Sequence, residues 1–364
     1  MTITLTAGAR PNFMKIAPII DAIKAAREQG KDIDYTLVHT GQHYDVKMSE
    51  EFFVQLGIPE PDINLGAGGG TQAEQTAAIM TGFERYLADR KTDLVLVVGD
   101  VTSTLACSIV AKKLLVPVAH VEGGIRSRDM TMPEEINRIV TDSISDYFFT
   151  TSQTANENLK AEGKRDDQIF FVGNTMIDTL MKNMHRLRKP ALWDEHSLAA
   201  GEYFVMTLHR PSNVDTSDQL VAILNAVRST GLPVVFPVHP RTRKNMTTFG
   251  IAPDGLILTE PLGYLEFNYL VKHARGVITD SGGITEETTF MGIPCLTLRN
   301  STERPETCTV GTNELLGTDP SAIAPALARI MSGKWKKGSI PELWDGKAAE
   351  RIVEVLVRMG LGGH

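Results

Sequence analysis

The chain has 364 residues, with 37 lysines plus arginines against 44 aspartates plus glutamates, so its formal net charge is −7. That length suits about two domains, and an apolar content of 42 % lets each bury a core of its own. The mild acidity excludes a bulk electrostatic grip on nucleic acid, but not a local basic pocket for a phosphorylated small molecule.

In chain order, short apolar runs predict strands at Ile3–Thr6, Tyr35–His39, Leu94–Val98, Pro117–Val121, Tyr147–Thr150 and Ile169–Val172. Helical patterns fall between them, near 12–28, 48–56, 71–89, 102–114, 134–145 and 152–162. A helix at 175–187 and a less patterned segment lead to a second series. Its strands are Tyr203–Leu208, Val234–Pro237, Leu256–Thr259, Gly276–Thr279 and Cys295–Leu298, with helices near 216–229, 241–247, 264–274, 284–291 and 320–332. A last helix covers about 347–360. Buried strands alternating with helices mean βα units and a parallel sheet. The expected class is α/β, with two Rossmann-like domains facing across a cleft. The domains are 1–172, then 173–346 as the nucleotide-binding half, and 347–364 as a helix and tail packing back on the first.

The three cysteines, Cys107, Cys295 and Cys308, form no CxxC pair, which argues against a zinc ribbon or a disulfide framework. A reducing, cytoplasmic compartment is the natural expectation. Met1–Leu5 lacks the marks of a signal peptide, and no apolar run approaches the roughly 20 residues that span a bilayer. Neither nucleic acid nor membrane is an expected partner.

Parallel sheets bind ligands outside the carboxyl ends of their strands, so the polar residues after each strand carry the interest. The first strand runs into Gly8-Ala9-Arg10-Pro11, with Lys15 one turn further on. No GxGxxG occurs here or elsewhere, but two cations at a helix N-terminus favour an anion; the plain alternative is a βα turn with solvated cations. Asp100 follows the strand at Leu94–Val98, and Glu122 follows the next, ahead of Gly123-Gly124. Glu134 opens a helix after Pro133. Each acid alone could be a helix cap or a dipole partner. Three at neighbouring strand ends form a carboxylate cluster suited to acid–base work.

In the second half, His209-Arg210 ends a strand. Thr279-Asp280-Ser281-Gly282-Gly283 turns from a strand into a helix with backbone N–H groups exposed, a phosphate cradle. A glutamate one turn later can accept from ribose hydroxyls. Arg304, in the loop Thr302–Glu306, can reach the same phosphates. His239–Lys244 reads as a solvated helix start. Together these suit a nucleoside diphosphate joined to a sugar.

The chain resembles the non-hydrolysing UDP-N-acetylglucosamine 2-epimerase family over nearly its whole length. The matching motifs, in order, are Gly8–Pro11 with Lys15, Thr40-Gly41-Gln42-His43, Gly99-Asp100, His120-Val121-Glu122, Pro133–Arg138, Gly173-Asn174-Thr175, Leu208-His209-Arg210, Gly263–Phe267, Thr279–Gly283 and Thr302–Glu306. The resemblance implies a GT-B-like architecture, a homodimer, no cofactor and no metal. It implies that Arg10, Ser281, Gly282, Gly283 and Arg304 hold the diphosphate. Glu287 would bind ribose, and Phe267 would lie by uracil. Lys15, Asp100, Glu122, Glu134 and His209 would surround the sugar and leaving group, with Arg138 among the substrate-binding residues.

The chemistry can also be argued from the sugar. H2 is not acidic beside an unoxidised C3, and the fingerprint of a nicotinamide site is absent. Elimination of UDP across C1–C2 to a 2-acetamidoglucal, then re-addition, needs a carboxylate pair on opposite faces of C2, with cations at the departing diphosphate. Glu122 and Asp100 are the chosen pair, with Glu134 supporting and His209 near the phosphates.

Two positions depart from the family pattern. Some bacterial members follow the Gln-His pair with an arginine at an activator site, whereas Tyr44-Asp45 follows here. Leu262-Gly263 replaces a glutamine before Tyr264. The rival readings are a 2-epimerase of a related sugar, such as UDP-2,3-diacetamido glucuronic acid, a GT-B glycosyltransferase, a hydrolysing epimerase and a silent UDP-sugar sensor.

Overall fold

A computed structural model describes residues 1–41, 53, 55–252 and 254–361. The helix expected near 48–56 falls largely outside the described residues, as do Gln42, His43, Tyr44 and Asp45.

The chain forms two compact units. The first comprises Met1–Lys182 with Glu342–His364, and the second Asn183–Pro341. The first holds strands β1 (Thr2–Ala7), β2 (Asp34–His39), β3 (Ile63–Asn64), β4 (Leu94–Val98), β5 (Val118–Val121), β6 (Tyr147–Thr150) and β7 (Ile169–Phe171). They form one sheet in the order β3-β2-β1-β4-β5-β6-β7, with parallel pairing throughout. Helices α1 (Arg10–Glu28), α2 (Gln72–Ala88), α3 (Thr102–Lys113), α4 (Pro133–Ile144), α5 (Gln153–Ala161) and α6 (Thr175–Asn183) connect or follow these strands.

Local chemistry explains where several helices begin. Thr71 accepts from the Glu74 N–H at 3.3 Å while Glu74 accepts from the Thr71 N–H at 2.8 Å, a reciprocal cap for α2. No side chain caps α1 at Ala9. Instead Asn12 Oδ1 reaches back to the N–H groups of Gly8 and Ala9, and its amide donates to Val98 O at 2.9 Å. That one side chain ties the end of β1 to the end of β4. All five residues of β4 are buried. Burial on both faces gives it the continuous apolar run of an inner parallel strand.

The second unit holds β8 (Phe204–Thr207), β9 (Val234–Pro237), β10 (Ile257–Thr259), β11 (Gly276–Thr279), β12 (Cys295–Thr297) and β13 (Asn313–Leu315). Its order is β10-β9-β8-β11-β12-β13, again parallel. Its helices are α7 (Leu192–Glu195), α8 (Pro211–Val214), α9 (Ser217–Arg228), α10 (Pro240–Phe249), α11 (Tyr264–His273), α12 (Gly282–Met291), α13 (Pro305–Thr309) and α14 (Ile323–Met331). Phe204, Met206, Val234, Phe236, Ile278 and Leu296 pack under α9 and α14, and Val205, Val235 and Val277 fill the opposite face.

The final helix, α15 (Ala348–Leu361), packs against α1 in the first unit. Asp178 caps it, accepting from the N–H groups of Ala348 at 3.2 Å and Ala349 at 2.7 Å. The α/β expectation holds. Two strands were not expected: β3, with two residues, and β13, with three.

In each sheet the connection order reverses beside one central strand, between β1 and β4 in the first and between β8 and β11 in the second. The loops leaving those strands diverge and open a crevice, where a parallel sheet takes its ligand. Among the described residues, no helix is long and apolar enough to cross a membrane.

Candidate active site

In the first unit, the turn after β1 passes very close to α3. A Cβ on Gly8 would lie 1.9 Å from Ser103 Oγ, so only glycine fits. Arg10 then opens α1, and partial burial pulls its guanidinium below the ordinary value. One turn on, Lys15 Nζ lies 2.6 Å from Glu122 Oε2, with side chains only 11 % and 4 % exposed. Glu122 follows β5 with φ at 72°, a left-handed conformation that a residue with a side chain adopts rarely. Such strain persists where the surroundings over-determine it, often at functional sites. A Cβ on Gly99 would lie 3.3 Å from Lys15 Nζ and 3.6 Å from Glu122 Oε2, so the turn after β4 abuts this pair.

Asp100 follows immediately. Its carboxylate accepts from Arg138 Nε at 3.0 Å and Nη2 at 2.6 Å, and its carbonyl from Asn137 Nδ2 at 2.8 Å. Arg138 also donates to Glu135 Oε2 at 2.5 Å. Burial tends to raise the Glu135 carboxyl, but the N–H groups of Ser127 and Arg128 and the Arg138 charge outweigh it and hold it below the usual range. Arg138 is thus a buried strut between two carboxylates. Glu134 is half-buried in the first turn of α4, outside both ion pairs.

In the second unit, His209 Nδ1 lies 2.8 Å from Asp280 Oδ1, and its side chain is 38 % exposed. Asp280, fully buried after β11, also accepts the N–H groups of His209 and Arg210 and the amide of Asn213. Burial tends to raise it, but the His209 hydrogen bond and charge and the two N–H groups hold it below the usual range. Asp280 therefore orients the imidazole and leaves Nε2 as its outward nitrogen. Sequence reasoning valued the glycines after Asp280 and passed over the aspartate, although its place at a strand end was signal enough.

Ser281 stands at the N-terminus of α12, its N–H bonded to Thr279 Oγ1 at 3.0 Å. Gly282 and Gly283 supply the first helical N–H groups. A Cβ on Gly283 would meet nothing within 4 Å, whereas one on Gly282 would lie 2.5 Å from Glu303 Oε1. Glu287 lies one turn inside the helix, where burial pushes its carboxyl up to about 7 despite the Asn268 amide 3.4 Å away and the nearby Tyr264 hydroxyl. Phe267 is half-buried in the first turn of α11. Arg304 differs from expectation in its setting. It is 5 % exposed, forms an ion pair with Glu286 and starts the short helix α13, so the Thr302–Glu306 stretch is not loop throughout. Close by, Glu303 pairs with Arg299 at 2.7 Å.

The first unit thus gathers Lys15, Asp100, Glu122 and Arg138 at its crevice. The second gathers His209, Ser281, Gly282 and Gly283, with Arg304 and Glu287 behind them. Carboxylates held by cations can move protons, and exposed N–H groups beside an oriented histidine can hold an anion.

The family model described as UDP-N-acetylglucosamine 2-epimerase matches residues 25–357. The UDP-N-acetylglucosamine 2-epimerase of Methanocaldococcus jannaschii is 38 % identical over 98 % of this chain and 99 % of its own. The UDP-2,3-diacetamido-2,3-dideoxy-D-glucuronate 2-epimerase of Pseudomonas aeruginosa is 40 % identical over 99 % of this chain and 100 % of its own. The crystal structure of the M. jannaschii enzyme in complex with UDP-GlcNAc and UDP superposes with a TM-score of 0.87 at 38 % identity, covering 98 % of this chain and 100 % of that one. With its strand-end motifs, its two parallel sheets and these full-length likenesses in agreement, the chain belongs to the UDP-N-acetylglucosamine 2-epimerase family of enzymes.

Proposed function

We propose that this enzyme interconverts UDP-N-acetylglucosamine and UDP-N-acetylmannosamine by eliminating and re-adding UDP. Ser281, Gly282 and Gly283 cradle the diphosphate, Arg304 and Arg10 supply positive charge, Glu287 takes ribose and Phe267 lies by uracil. Lys15, Asp100, Glu122, Glu134 and His209 surround the sugar and leaving group. The observation that carries this reading is the pairing of Lys15 with Glu122 and of Arg138 with Asp100 at one crevice. Each carboxylate is fixed by a cation.

In the forward direction one carboxylate takes H2, the C1–O bond breaks with its electron pair leaving on UDP, and a C1–C2 double bond forms. UDP then adds back to C1 while the other carboxylate delivers a proton to the opposite face of C2. One proton is consumed and one released, so the pair holds a single proton in each ground state and exchanges roles in the reverse direction. His209, oriented by Asp280, stabilises the departing diphosphate, and Glu134 supports the pair.

The 40 % identity to the diacetamido-glucuronate enzyme favours one second reading, the same chemistry on a sugar bearing a C6 carboxylate. Proton NMR in deuterated water tests both. We expect deuterium at C2 of UDP-GlcNAc and UDP-ManNAc, with no free sugar accumulating. Turnover of the glucuronate sugar alone would select the second reading. Free N-acetylmannosamine as the main product would overturn the re-addition step.

A further inference from the structure

Behind the turn after β5, a buried histidine lies between two hydrogen-bonding groups. His120 is 0 % exposed. Its Nε2 lies 2.7 Å from the carbonyl oxygen of Gly99, and its Nδ1 lies 2.6 Å from Oδ1 of Asp142. A carbonyl oxygen only accepts, so Nε2 carries a proton. The other oxygen of Asp142 accepts from Arg126 Nη1 at 2.7 Å and from the Gly124 N–H at 2.9 Å. Burial tends to raise the Asp142 carboxyl, but His120, Arg126 and the Gly124 N–H hold it below the usual range. Both ring nitrogens are therefore engaged, one at each end of the network. Arg126 continues the network to Glu162, with Nη2 and Nε at 2.6 and 2.9 Å.

The two ends of this network are informative. Gly99 immediately precedes Asp100, and its φ of 71° fixes the direction in which that residue leaves the sheet. Gly124 lies two residues after Glu122, whose own backbone is strained. A buried ion pair adds little stability over apolar residues of similar volume, so stability alone does not explain it. Acid–base groups on opposite faces of one carbon, however, must keep their spacing closely.

We propose that His120 and Asp142 are positioning residues for the epimerisation: the imidazole pins the Gly99 carbonyl beside Asp100, and Asp142 grips the turn that carries Glu122. One buried pair thereby sets the spacing of the two carboxylates. This inference rests on the reading of Asp100 and Glu122 as the acid–base pair.

Two amide substitutions divide the histidine's contacts. His120→Asn keeps a donor near Nδ1, toward Asp142, and cannot reach Gly99. His120→Gln keeps a donor near Nε2, toward Gly99, and gives up Asp142. Asp142→Asn removes the charge and keeps the shape. In the full-length protein, each is expected to lower kcat about 10–100-fold, the scale of a misplacement near 1 Å. Calorimetric affinity for UDP should stay within twofold of the parent. A general structural loss would instead lower both, together with the thermal midpoint. In the unaltered protein, nitrogen-15 NMR should show a proton on Nε2 of His120, as its bond to the Gly99 carbonyl requires. If the His120 variants fail to fold, Asp142→Asn and this spectrum decide.

Parent-like kcat in folded variants, or an Nε2 without its proton, would overturn the proposal. Glu122→Gln and Asp100→Asn, run alongside, separate the two levels. If they abolish turnover while the His120 and Asp142 variants do not, only the positioning role fails. If they leave turnover intact, the acid–base reading fails, and this inference with it.

Discussion

The Lys15 ammonium lies 2.6 Å from the Glu122 carboxylate, joining the second turn of α1 to the strained turn after β5. The pair is almost wholly buried, so water and salt screen it little.

Glu122→Gln tests that carboxylate. The glutamine carbonyl can still accept from Lys15, so the fold and UDP binding should persist. Turnover should fall at least ~100-fold, within the range of general acid–base groups. Activity and thermal midpoint measured on one preparation decide the matter. Normal turnover in a well-folded variant would shift the acid–base assignment to Asp100 with Glu134.

Arg304 forms an ion pair with Glu286, which holds its guanidinium in place. Arg304→Ala is expected to weaken UDP binding by about 1.5–3 kcal/mol, the scale of a hydrogen bond to a charged group. Unchanged affinity by calorimetric titration would remove Arg304 from the phosphate site and leave it a structural partner of Glu286.

Glu287 predicts a pH dependence of stability. Burial raises its carboxyl from the ordinary 4.5 to about 7. Between those values the folded protein keeps a proton that the unfolded chain has released. Stability therefore falls as pH rises through that window and is level above it. Glu287→Gln removes the decline. The variant should match the parent near pH 4 and exceed it at pH 8 by on the order of 3 kcal/mol, the equivalent of the shift from 4.5 to about 7. Urea unfolding across the pH series measures this, and equal pH slopes in the two proteins would refute it. The same variant should bind UDP more weakly, since the amide keeps only one acceptor for ribose.

Gly124→Ala should be among the most damaging single-methyl additions. The residue has φ at 79°, and a Cβ there would lie 2.3 Å from Ala155 O, a backbone atom that cannot swing aside. Left-handed strain and overpacking together suggest a loss of about 2–4 kcal/mol. A chemical denaturation midpoint close to the parent's would show that α5 yields more easily than its packing suggests.

The sequence by itself determined the strand-and-helix order, because inner parallel strands are apolar on both faces and stand out as runs. Leu94–Val98 is such a run, and all of it is buried. It also singled out the residues after the strands, since the carboxyl ends of a parallel sheet are where its loops diverge. The edge strands β3 and β13 escaped notice because two or three residues, partly polar and exposed, make no run. Only the tertiary structure decided which charges meet. Arg138 is shared by Asp100 and Glu135, His209 is oriented by Asp280, and Arg304 is held by Glu286. His120 is bound to Asp142, and Asp178 caps α15 from a helix 170 residues earlier. Apart from Arg138 with Glu135, three residues apart on α4, these pairings join different elements of the fold. The His209–Asp280 contact exists because sheet order brings β8 beside β11, and strand adjacency of that kind leaves no local trace in the sequence.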